Sequence, residues 1–123
     1  MKKNMYTKKI VWAIFFAVLQ IYPSYCAVIQ KINSSREVVT NGRPCVIEYY
    51  SPTCPHCQSI APVYNQVARA NTNGTQFYQI DIQDENPGIN TIPTFMFIDS
   101  QGKKTIENDI TSNNLGSKVA NLR

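Results

Sequence analysis

Residues 45–62 read CVIEYYSPTCPHCQSIAP, and the predicted fold is built outward from this stretch. Its first six residues are almost continuously apolar, which is typical of a strand buried on both faces. Its later residues continue into a helical pattern that places Ile60 and Tyr64 on one face. Between these elements lie Cys54 and Cys57, whose two-residue separation allows a disulfide to close a small ring. A cysteine pair at a strand-to-helix junction indicates redox chemistry before it indicates metal binding.

Apolar periodicity and turn residues divide the rest of the chain into further elements. They predict an edge strand at residues 27–32 and further strands at 45–50, 76–82, 92–98 and 103–107. They also predict a helix from Cys54 or Pro55 to about Ala70, and a last helix capped by Thr111 or Ser112 with Leu115, Val119 and Leu122 on its buried side. Ser34 and Glu37 form a capping-box pattern for a short helix that should end near Asn41-Gly42. This order predicts an α/β protein with a central mixed β-sheet flanked by helices.

Residues 1–26 have the pattern of a secretory signal peptide. Four lysines precede the apolar run at 10–19, and Ser24 and Cys26 supply small residues before a cut. The apolar run is shorter than the roughly 20 residues that span a bilayer, which favours cleavage over an uncleaved anchor. We therefore expect a signal peptide at 1–26, one domain at 27–123, and a periplasmic or secreted location. Anchoring in the membrane, facing outside the cytoplasm, is the alternative.

The net charge of the chain belongs to this leader. The whole chain has 12 Lys and Arg against 8 Asp and Glu, a formal net charge of +4. Residues 1–26 contain four lysines and no acidic residue, so the remainder carries 8 residues of each sign. The basic balance therefore does not indicate nucleic-acid binding.

The other two cysteines do not complete a metal site. Cys26 and Cys45 form no second close pair, so a tetrahedral zinc centre is not favoured, and we expect neither a metal nor another cofactor. Cys45 lies in an apolar strand and is interpreted as a small buried side chain. Cys26 could carry a lipid in a bacterial exported protein, but Tyr25 is too large for the residue expected before it.

With these elements in place, the sequence resembles the thioredoxin family over nearly all of residues 28–122. Cys54-x-x-Cys57 resembles the family's active site, and Glu48, six residues earlier, occupies the place of its buried carboxylate. Ile92-Pro93-Thr94 resembles the family's cis-proline loop. The inner dipeptide Pro55-His56 is similar to that of the periplasmic disulfide oxidases, the DsbA-like branch. The resemblance implies a thioredoxin-like fold.

The sequence departs from the family pattern at three places. Thr53 replaces the tryptophan that usually precedes the first cysteine. Only nine residues, Asn86 to Thr94, cover a stretch that usually contains a helix, so the helix before the cis-proline loop should be shortened or missing. Gln79 stands where a lysine is often found near the buried carboxylate, so the chain differs from the family in the detail of its proton relay.

The resemblance implies four catalytic side chains. The thiolate is the nucleophile in disulfide exchange, and the first turn of a helix stabilises one at Cys54. Cys54 would attack, and Cys57, one turn further and more buried, would resolve the mixed disulfide. His56 would stabilise the reduced form and make the disulfide more oxidising. Glu48 would pass protons to and from Cys57.

The resemblance also implies what the site binds. Pro55, Ile92 and Pro93 would form the substrate-binding surface, with the backbone of Ile92 exposed for pairing with a substrate strand. The partners would be protein thiol or disulfide substrates and a redox-recycling partner, and we expect no nucleic acid and a monomer. A membrane becomes a partner only if the leader stays uncleaved or Cys26 is lipidated.

Together these observations predict an exported thiol-disulfide oxidoreductase that acts on protein cysteines through Cys54-Pro55-His56-Cys57. Two alternatives stay open: a membrane-tethered reductant, for example in cytochrome maturation, and a non-catalytic binding or chaperone module of the same fold. The direction of electron flow is open as well. Pro55-His56 favours donating disulfides, whereas Ile92 before the proline and the lack of a helical insertion favour reduction.

Overall fold

The computed structural model describes residues 28–123, which form a five-stranded sheet with helices. In chain order the strands are β1 (Ile29–Lys31), β2 (Cys45–Tyr50), β3 (Gln76–Asp81), β4 (Thr94–Ile98) and β5 (Lys104–Glu107). The α-helices of this range are α1 (Pro55–Ala70) and α2 (Leu115–Ala120), and a 3-10 helix spans Ser35–Glu37. None of these helices is long and apolar enough to cross a membrane. The leader predicted at residues 1–26, with Cys26, lies outside the described residues.

The strand order β1-β3-β2-β4-β5 places β2 in the middle of the sheet. Strands β1, β3 and β2 run parallel, whereas β4 and β5 are each antiparallel to the strand before them in this order. A central strand is covered on both faces, and every residue from Cys45 to Tyr49 is buried. The predicted α/β class with a central mixed sheet is confirmed, and β2 and α1 have the predicted bounds.

Both α-helices contribute to the core on one face of the sheet, called here the helix face. That core consists of Val46, Ile60, Tyr64, Phe77, Phe95, Phe97, Ile110, Leu115 and Val119. The Tyr64 ring meets the Phe95 ring edge-on, with centroids 5.3 Å apart. Its hydroxyl donates to the Tyr78 carbonyl at 2.7 Å and to the Val46 carbonyl at 3.3 Å. A single residue of α1 therefore bonds to both β2 and β3.

The opposite face, called the loop face, is covered by connecting segments of the described chain. Its core consists of Cys45, Ile47, Tyr49, Tyr78, Ile80, Met96 and Ile98, and the partly buried Ile32, Val38, Ile82 and Ile89 pack against it. Residues 82–93, between β3 and β4, form turns and bends without a helix. The expectation that the helix before the cis-proline loop is shortened or missing is confirmed. Cys45 is fully buried, in agreement with its interpretation as a small core side chain.

Glu85 fastens the 3-10 helix to the loop face. Its carboxylate accepts hydrogen bonds from Ser34 Oγ at 3.0 Å, from Ser35 N at 3.0 Å and Oγ at 3.2 Å, and from the Tyr49 hydroxyl at 3.2 Å. Burial alone would raise the pKa of Glu85, but the hydrogen bonds from Ser35, Ser34 and Tyr49 hold it below its ordinary value. The bonds from Ser34 and Ser35 join segments that lie 50 or 51 residues apart in the chain.

The helix after Ser34 is shorter than predicted. The capping box is present, since Ser34 Oγ accepts from Arg36 N and Glu37 Oε2 accepts from the Ser34 backbone. The helix is nevertheless a single 3-10 turn that ends at Glu37 and not near Asn41-Gly42. Val38 has an extended backbone and packs against the loop face, and this tertiary contact overrides the local helical preference.

The last helix begins later than predicted. The expected cap at Thr111 or Ser112 is wrong and the N-cap residue is Asn114, because the Thr111 carbonyl accepts from the backbone N–H groups of Asn114 and Leu115 and closes a turn first. Asn114 Oδ1 accepts from the Thr111 N–H at 2.7 Å, and α2 begins at the next residue, Leu115. The residues predicted for its buried side lie in the helix-face core or pack against it: Leu115, Val119 and Leu122.

Candidate active site

Cys54 lies at the junction of β2 and α1, as the N-cap residue of the helix. Pro55 occupies the start of the helix, where no backbone N–H is needed for intrahelical bonding, and Cys54 itself has an extended backbone. The Cys57 N–H donates to the Cys54 sulfur over 3.2 Å. A sulfur in this position accepts from a free backbone N–H and lies at the positive end of the helix dipole. Both effects stabilise a thiolate.

Cys57 lies one turn into α1 and is buried. Only 4% of its surface is exposed, whereas Cys54 is partly exposed, and both are free thiols. Burial raises the pKa of Cys57 to about 12. The hydrogen bond with Cys54 and the charges of Cys54 and Glu48 also raise this pKa, while a backbone hydrogen bond from Ser51 lowers it. Cys54 is therefore the accessible thiol of the pair, and Cys57 holds its proton.

Glu48 brings a carboxyl group without a partner into the helix face. Its side chain is 2% exposed, and its Oε2 has no hydrogen-bond partner among the described residues. Its neighbours across the sheet are Gln79 on β3 and Phe95 on β4, both uncharged. Burial raises the pKa of Glu48 to about 7. Glu48 can therefore gain or lose a proton near neutral pH while its charge acts on Cys57.

The loop that precedes β4 lies against the Cys54 sulfur. The peptide bond between Ile92 and Pro93 is cis, as the resemblance implied. The Cys54 thiol donates to the Ile92 carbonyl over 3.8 Å. Thr94, the first residue of β4, is buried, and its hydroxyl donates to the Thr91 carbonyl. The loop thus places backbone carbonyl oxygen next to the accessible thiol.

Hydrogen bonds also fix the segment that precedes Cys54. Gln58 Nε2 donates to the Pro52 carbonyl at 2.9 Å. The Cys54 N–H donates to the Ser51 carbonyl at 3.2 Å, and the Ser51 and Thr53 hydroxyl oxygens lie 3.2 Å apart. The sequence predicted no role for Gln58 or Ser51, since a polar side chain beside a turn gives no sequence signal of its hydrogen-bond partner.

A groove of about 350 Å³ lies between the start of α1, the cis-proline loop and the connection from β5 to α2. His56 lines it from α1, Ile92 and Pro93 line it from the loop, and Asn108 and Ile110 line it from the connection. Because Ile92 also contacts the Cys54 sulfur, the groove begins next to the accessible thiol.

The structure places some of the predicted site residues at the cysteine pair or the groove and others further away. Those that it brings together around the cysteine pair and the groove are Cys54, Cys57, Glu48, Ile92 and Pro93. His56 is exposed and lines the groove, whereas Pro55 is exposed and does not line it. Within residues 28–123, no group of three or more His, Cys, Asp or Glu is arranged to hold a metal ion.

The wall of the groove that follows β5 was not predicted from the sequence. Residues 108–112 read NDITS, and only Thr111 and Ser112 were given a role, as alternative caps of the last helix. Four of these five residues line the groove. Their position depends on the pairing of β5 with β4 and on Ile110 packing into the helix-face core, so no local pattern marks them.

The chain is similar to known proteins over most of its length. The family model described as Thioredoxin matches residues 25–121. Protein disulfide-isomerase erp38 of Neurospora crassa is 28% identical over 99 residues, which cover 74% of this chain and 25% of the isomerase. The thioredoxin of Borreliella burgdorferi is 28% identical over 69 residues, which cover 52% of this chain and 59% of that protein. The chain thus spans less than two thirds of the length of either relative.

A solved structure has the same architecture. The crystal structure of thioredoxin NaTrxh from Nicotiana alata matches with a TM-score of 0.65 at 18% identity. The match covers 79% of this chain and 94% of that one. At this level of identity the likeness concerns the fold alone.

Proposed function

Since this chain belongs to the thioredoxin family, we propose that it exchanges thiols and disulfides with cysteines of polypeptide substrates. The observation that carries the proposal is the placement of one accessible and one buried thiol at the start of α1. Cys54 accepts the Cys57 N–H over 3.2 Å, and its sulfur lies 3.8 Å from the Ile92 carbonyl. Relatives named thioredoxin and protein disulfide-isomerase support this activity.

In the reducing direction, the Cys54 thiolate attacks one sulfur of a substrate disulfide. A bond forms between Cys54 and that sulfur, the substrate S–S bond breaks, and the other substrate sulfur leaves as a thiolate. Cys57 then loses its proton and attacks the Cys54 sulfur, which releases the second substrate thiolate and forms the Cys54–Cys57 disulfide. Two electrons pass from the cysteine pair to the substrate. The reverse sequence oxidises a substrate dithiol.

Glu48 is the group proposed to take the proton from Cys57. The buried thiol has a pKa of about 12 and cannot supply a thiolate at neutral pH without a base. The pKa of Glu48, about 7, lies where a carboxylate can both accept and return a proton at neutral pH. The two groups interact through the charge of Glu48, so the second step depends on the protonation of this carboxyl group.

We further propose that the reaction takes place outside the cytoplasm. The signal-peptide pattern of residues 1–26 and the similarity of Pro55-His56 to the periplasmic disulfide oxidases support this location. A positively charged or donating His56 near the thiolate would favour the reduced pair and make the disulfide a stronger oxidant. The partners would be secreted polypeptides with cysteines and a protein that restores the redox state of the pair.

Replacement of each cysteine tests the proposal. We expect Cys54→Ser to reduce insulin disulfides, with dithiothreitol as the electron source, no faster than dithiothreitol alone. Cys57→Ser retains the attacking thiol but lacks the resolving one, so it should accumulate a mixed disulfide with the substrate. Mass spectrometry under non-reducing conditions would show the complex as one protein plus one substrate chain.

The matched control is Cys45→Ala on the loop face. Cys45 is fully buried and belongs to the other core, so its removal should leave the rate of insulin reduction unchanged. Full activity of a folded Cys54→Ser protein would overturn the proposal. So would loss of activity in a Cys45→Ala protein with an unchanged circular dichroism spectrum.

A further inference from the structure

The charges of the described chain are separated along the strands of the sheet. Residues 28–123 carry eight cationic and eight acidic side chains, so their net charge is zero. At the end of the sheet away from the cysteines, however, cations are in large excess over acidic side chains. The surface at this end, called here the basic end, is defined by five exposed residues: Arg43, Arg69, Lys103, Lys104 and Arg123.

The register of the sheet places three of these cations. One row of cross-strand neighbours lies at the end of the sheet away from Cys54: Gln76, Cys45, Ile98 and Lys104. Lys104 belongs to this row, at the start of β5. Arg43 precedes β2 by two residues and Lys103 precedes β5 by one, so both lie just beyond the row.

The other two cations reach the same end through α1 and the last residues of the chain. Helix α1 begins at the cysteines and runs back along the sheet, and Arg69 lies in its last turn. Arg69 lines a cavity together with Gln76, the first residue of β3. The Arg123 carbonyl accepts from the Ser100 N–H at 3.1 Å, which holds Arg123 against the turn between β4 and β5.

The five cations have no acidic partner. In the part of the chain that the structure describes, the salt bridge joins Lys118 to Glu107 and involves none of them. The one acidic residue of the basic end is Asp99, whose Oδ1 accepts from the backbone N–H groups of Gln101 and Lys103, each at 2.9 Å. The side chains of the basic end therefore sum to a formal charge of +4, and those of the remaining described chain to −4.

We propose that the basic end binds the surface of a membrane that contains anionic lipids. Exposed cations on four separate segments suit a broad, flat array of negative charge, and each Lys or Arg close to such a surface strengthens binding by about fivefold. The chain before β1 also joins the domain at this end, because Ile29 pairs with Phe77, the second residue of β3. The leader, with its apolar run at 10–19, is thus connected to the side that we assign to the membrane.

Binding in this orientation keeps the cysteines away from the bilayer. Helix α1 has 16 residues, which correspond to a length of about 24 Å. The potential of a charged surface is screened within about 10 Å at 0.1 M salt, so Cys54 at the far end of α1 lies beyond its reach. The proposal concerns a surface separate from the thiol site and therefore goes beyond the proposed function.

Co-sedimentation with lipid vesicles tests the charge requirement. Anionic vesicles contain equal parts of phosphatidylcholine and phosphatidylglycerol, and neutral vesicles contain phosphatidylcholine alone. The double variant Arg69→Gln, Lys103→Gln removes two cations from the basic end. The matched control Lys31→Gln, Arg36→Gln removes one Lys and one Arg from exposed positions elsewhere. We expect the first variant to bind anionic vesicles at least about tenfold more weakly than the wild type, and the control less than about threefold more weakly.

Lysine acetylation of the wild-type protein tests the orientation. Mass spectrometry measures the rate at which acetic anhydride modifies each lysine in the presence of either kind of vesicle. We expect Lys103 and Lys104 to react at least about threefold more slowly with anionic than with neutral vesicles, and Lys31 to react equally with both. All proteins are made as the full chain, so any contribution of the leader is the same in each comparison.

Four results would overturn the inference. The first is a wild-type protein that shows no preference for anionic over neutral vesicles. The second is an equal loss of binding in the two double variants, which would indicate a general effect of net charge. The third is equal protection of Lys31, Lys103 and Lys104. The fourth is tighter binding to polyglutamate or to duplex DNA than to anionic vesicles, which would assign the basic end to an acidic protein or a nucleic acid.

Discussion

Two glutamates, one at each face of the sheet, differ in how their carboxyl groups are satisfied. On the loop face, Glu85 accepts four hydrogen bonds from Ser34, Ser35 and Tyr49, which outweigh its burial and lower its pKa. On the helix face, Glu48 has an oxygen without a partner among the described residues, and burial raises its pKa to about 7. The carboxyl group of Glu85 is thus stabilised in its charged form, whereas that of Glu48 is stabilised in its protonated, neutral form.

The difference separates a residue that stabilises the fold from one that opposes it. The loop face has no covering α-helix in the described chain, and Glu85 holds its cover in place by hydrogen bonds. Glu48 lies under a well-packed helix, where a buried polar group without a partner costs stability. The carboxyl group that weakens the fold is the one that interacts with Cys57, which is the placement expected of a catalytic group.

The largest expected effect is a dependence of stability on pH that comes from Glu48. Its pKa is about 7 in the folded chain against an ordinary value of 4.5, so between these pH values the unfolded chain releases a proton that the folded chain keeps. The free energy of unfolding should therefore fall by about 3 kcal/mol as pH rises from 4.5 to 7, and level off above. Urea unfolding at several pH values measures this.

Glu48→Gln removes the titrating group and provides the control. The variant should lack the decline between pH 4.5 and 7, so its stability relative to the wild type should increase with pH across that range. Two pH profiles that run parallel would show that Glu48 is not the source of the slope.

A smaller loss is expected from Glu85→Gln. The amide has one acceptor oxygen in place of two and cannot accept all four hydrogen bonds. The buried Tyr49 hydroxyl and the Ser35 N–H would therefore compete for this oxygen. We expect a destabilisation of about 2 kcal/mol at pH 7, with an unchanged denaturant slope and unchanged exchange activity. Asp84→Asn, which removes the same charge from an exposed neighbour, should change stability by less than about 0.5 kcal/mol. Equal losses in both variants would contradict the role of Glu85.

The smallest effect is expected from a cation placed beside Glu48. Gln79 is its cross-strand neighbour on β3, so Gln79→Lys brings an opposite charge to the unpaired carboxyl group. The pKa of Glu48 should fall by about one unit, and the Cys57-dependent second step should reach its full rate at a correspondingly lower pH. Carbon-13 NMR of the Glu48 carboxyl measures the first effect. Gln30→Lys, on the exposed strand β1, adds the same charge elsewhere, and an equal shift there would exclude a local interaction.

The parts of the fold that the sequence predicted well have strong local signals. The bounds of β2 and α1 follow from a continuous apolar run, a proline at the first helical position and an apolar period in the helix. The short helix after Ser34 and the start of α2 were predicted wrongly because both are decided by contacts distant in sequence or by a competing turn. Val38 packs on the loop face, and Asn114 bonds back to Thr111.

The residues of the candidate site likewise fall into those with a local sequence signal and those placed by contacts between distant segments. Cys54, Cys57 and Glu48 were recognised because a cysteine pair and a charge in an apolar strand are conspicuous in one dimension. Asn108 and Glu85 were not, since their environments are assembled from separate segments of the chain. The missing hydrogen bond of Glu48 and the wall of the groove that follows β5 appear only in three dimensions.

The two hydrogen bonds of the Tyr64 hydroxyl bear on how the molecule opens. Because this hydroxyl donates to carbonyls of both β2 and β3, the separation of α1 from the sheet breaks a buried hydrogen bond to each strand. We therefore expect α1, β2 and β3 to unfold together, so that their amide protons exchange more slowly than those of the rest of the described chain. The segments on the loop face are only partly buried, so we expect them to open first and their amide protons to exchange faster, which would leave the surroundings of the cysteines as the more rigid part of the molecule.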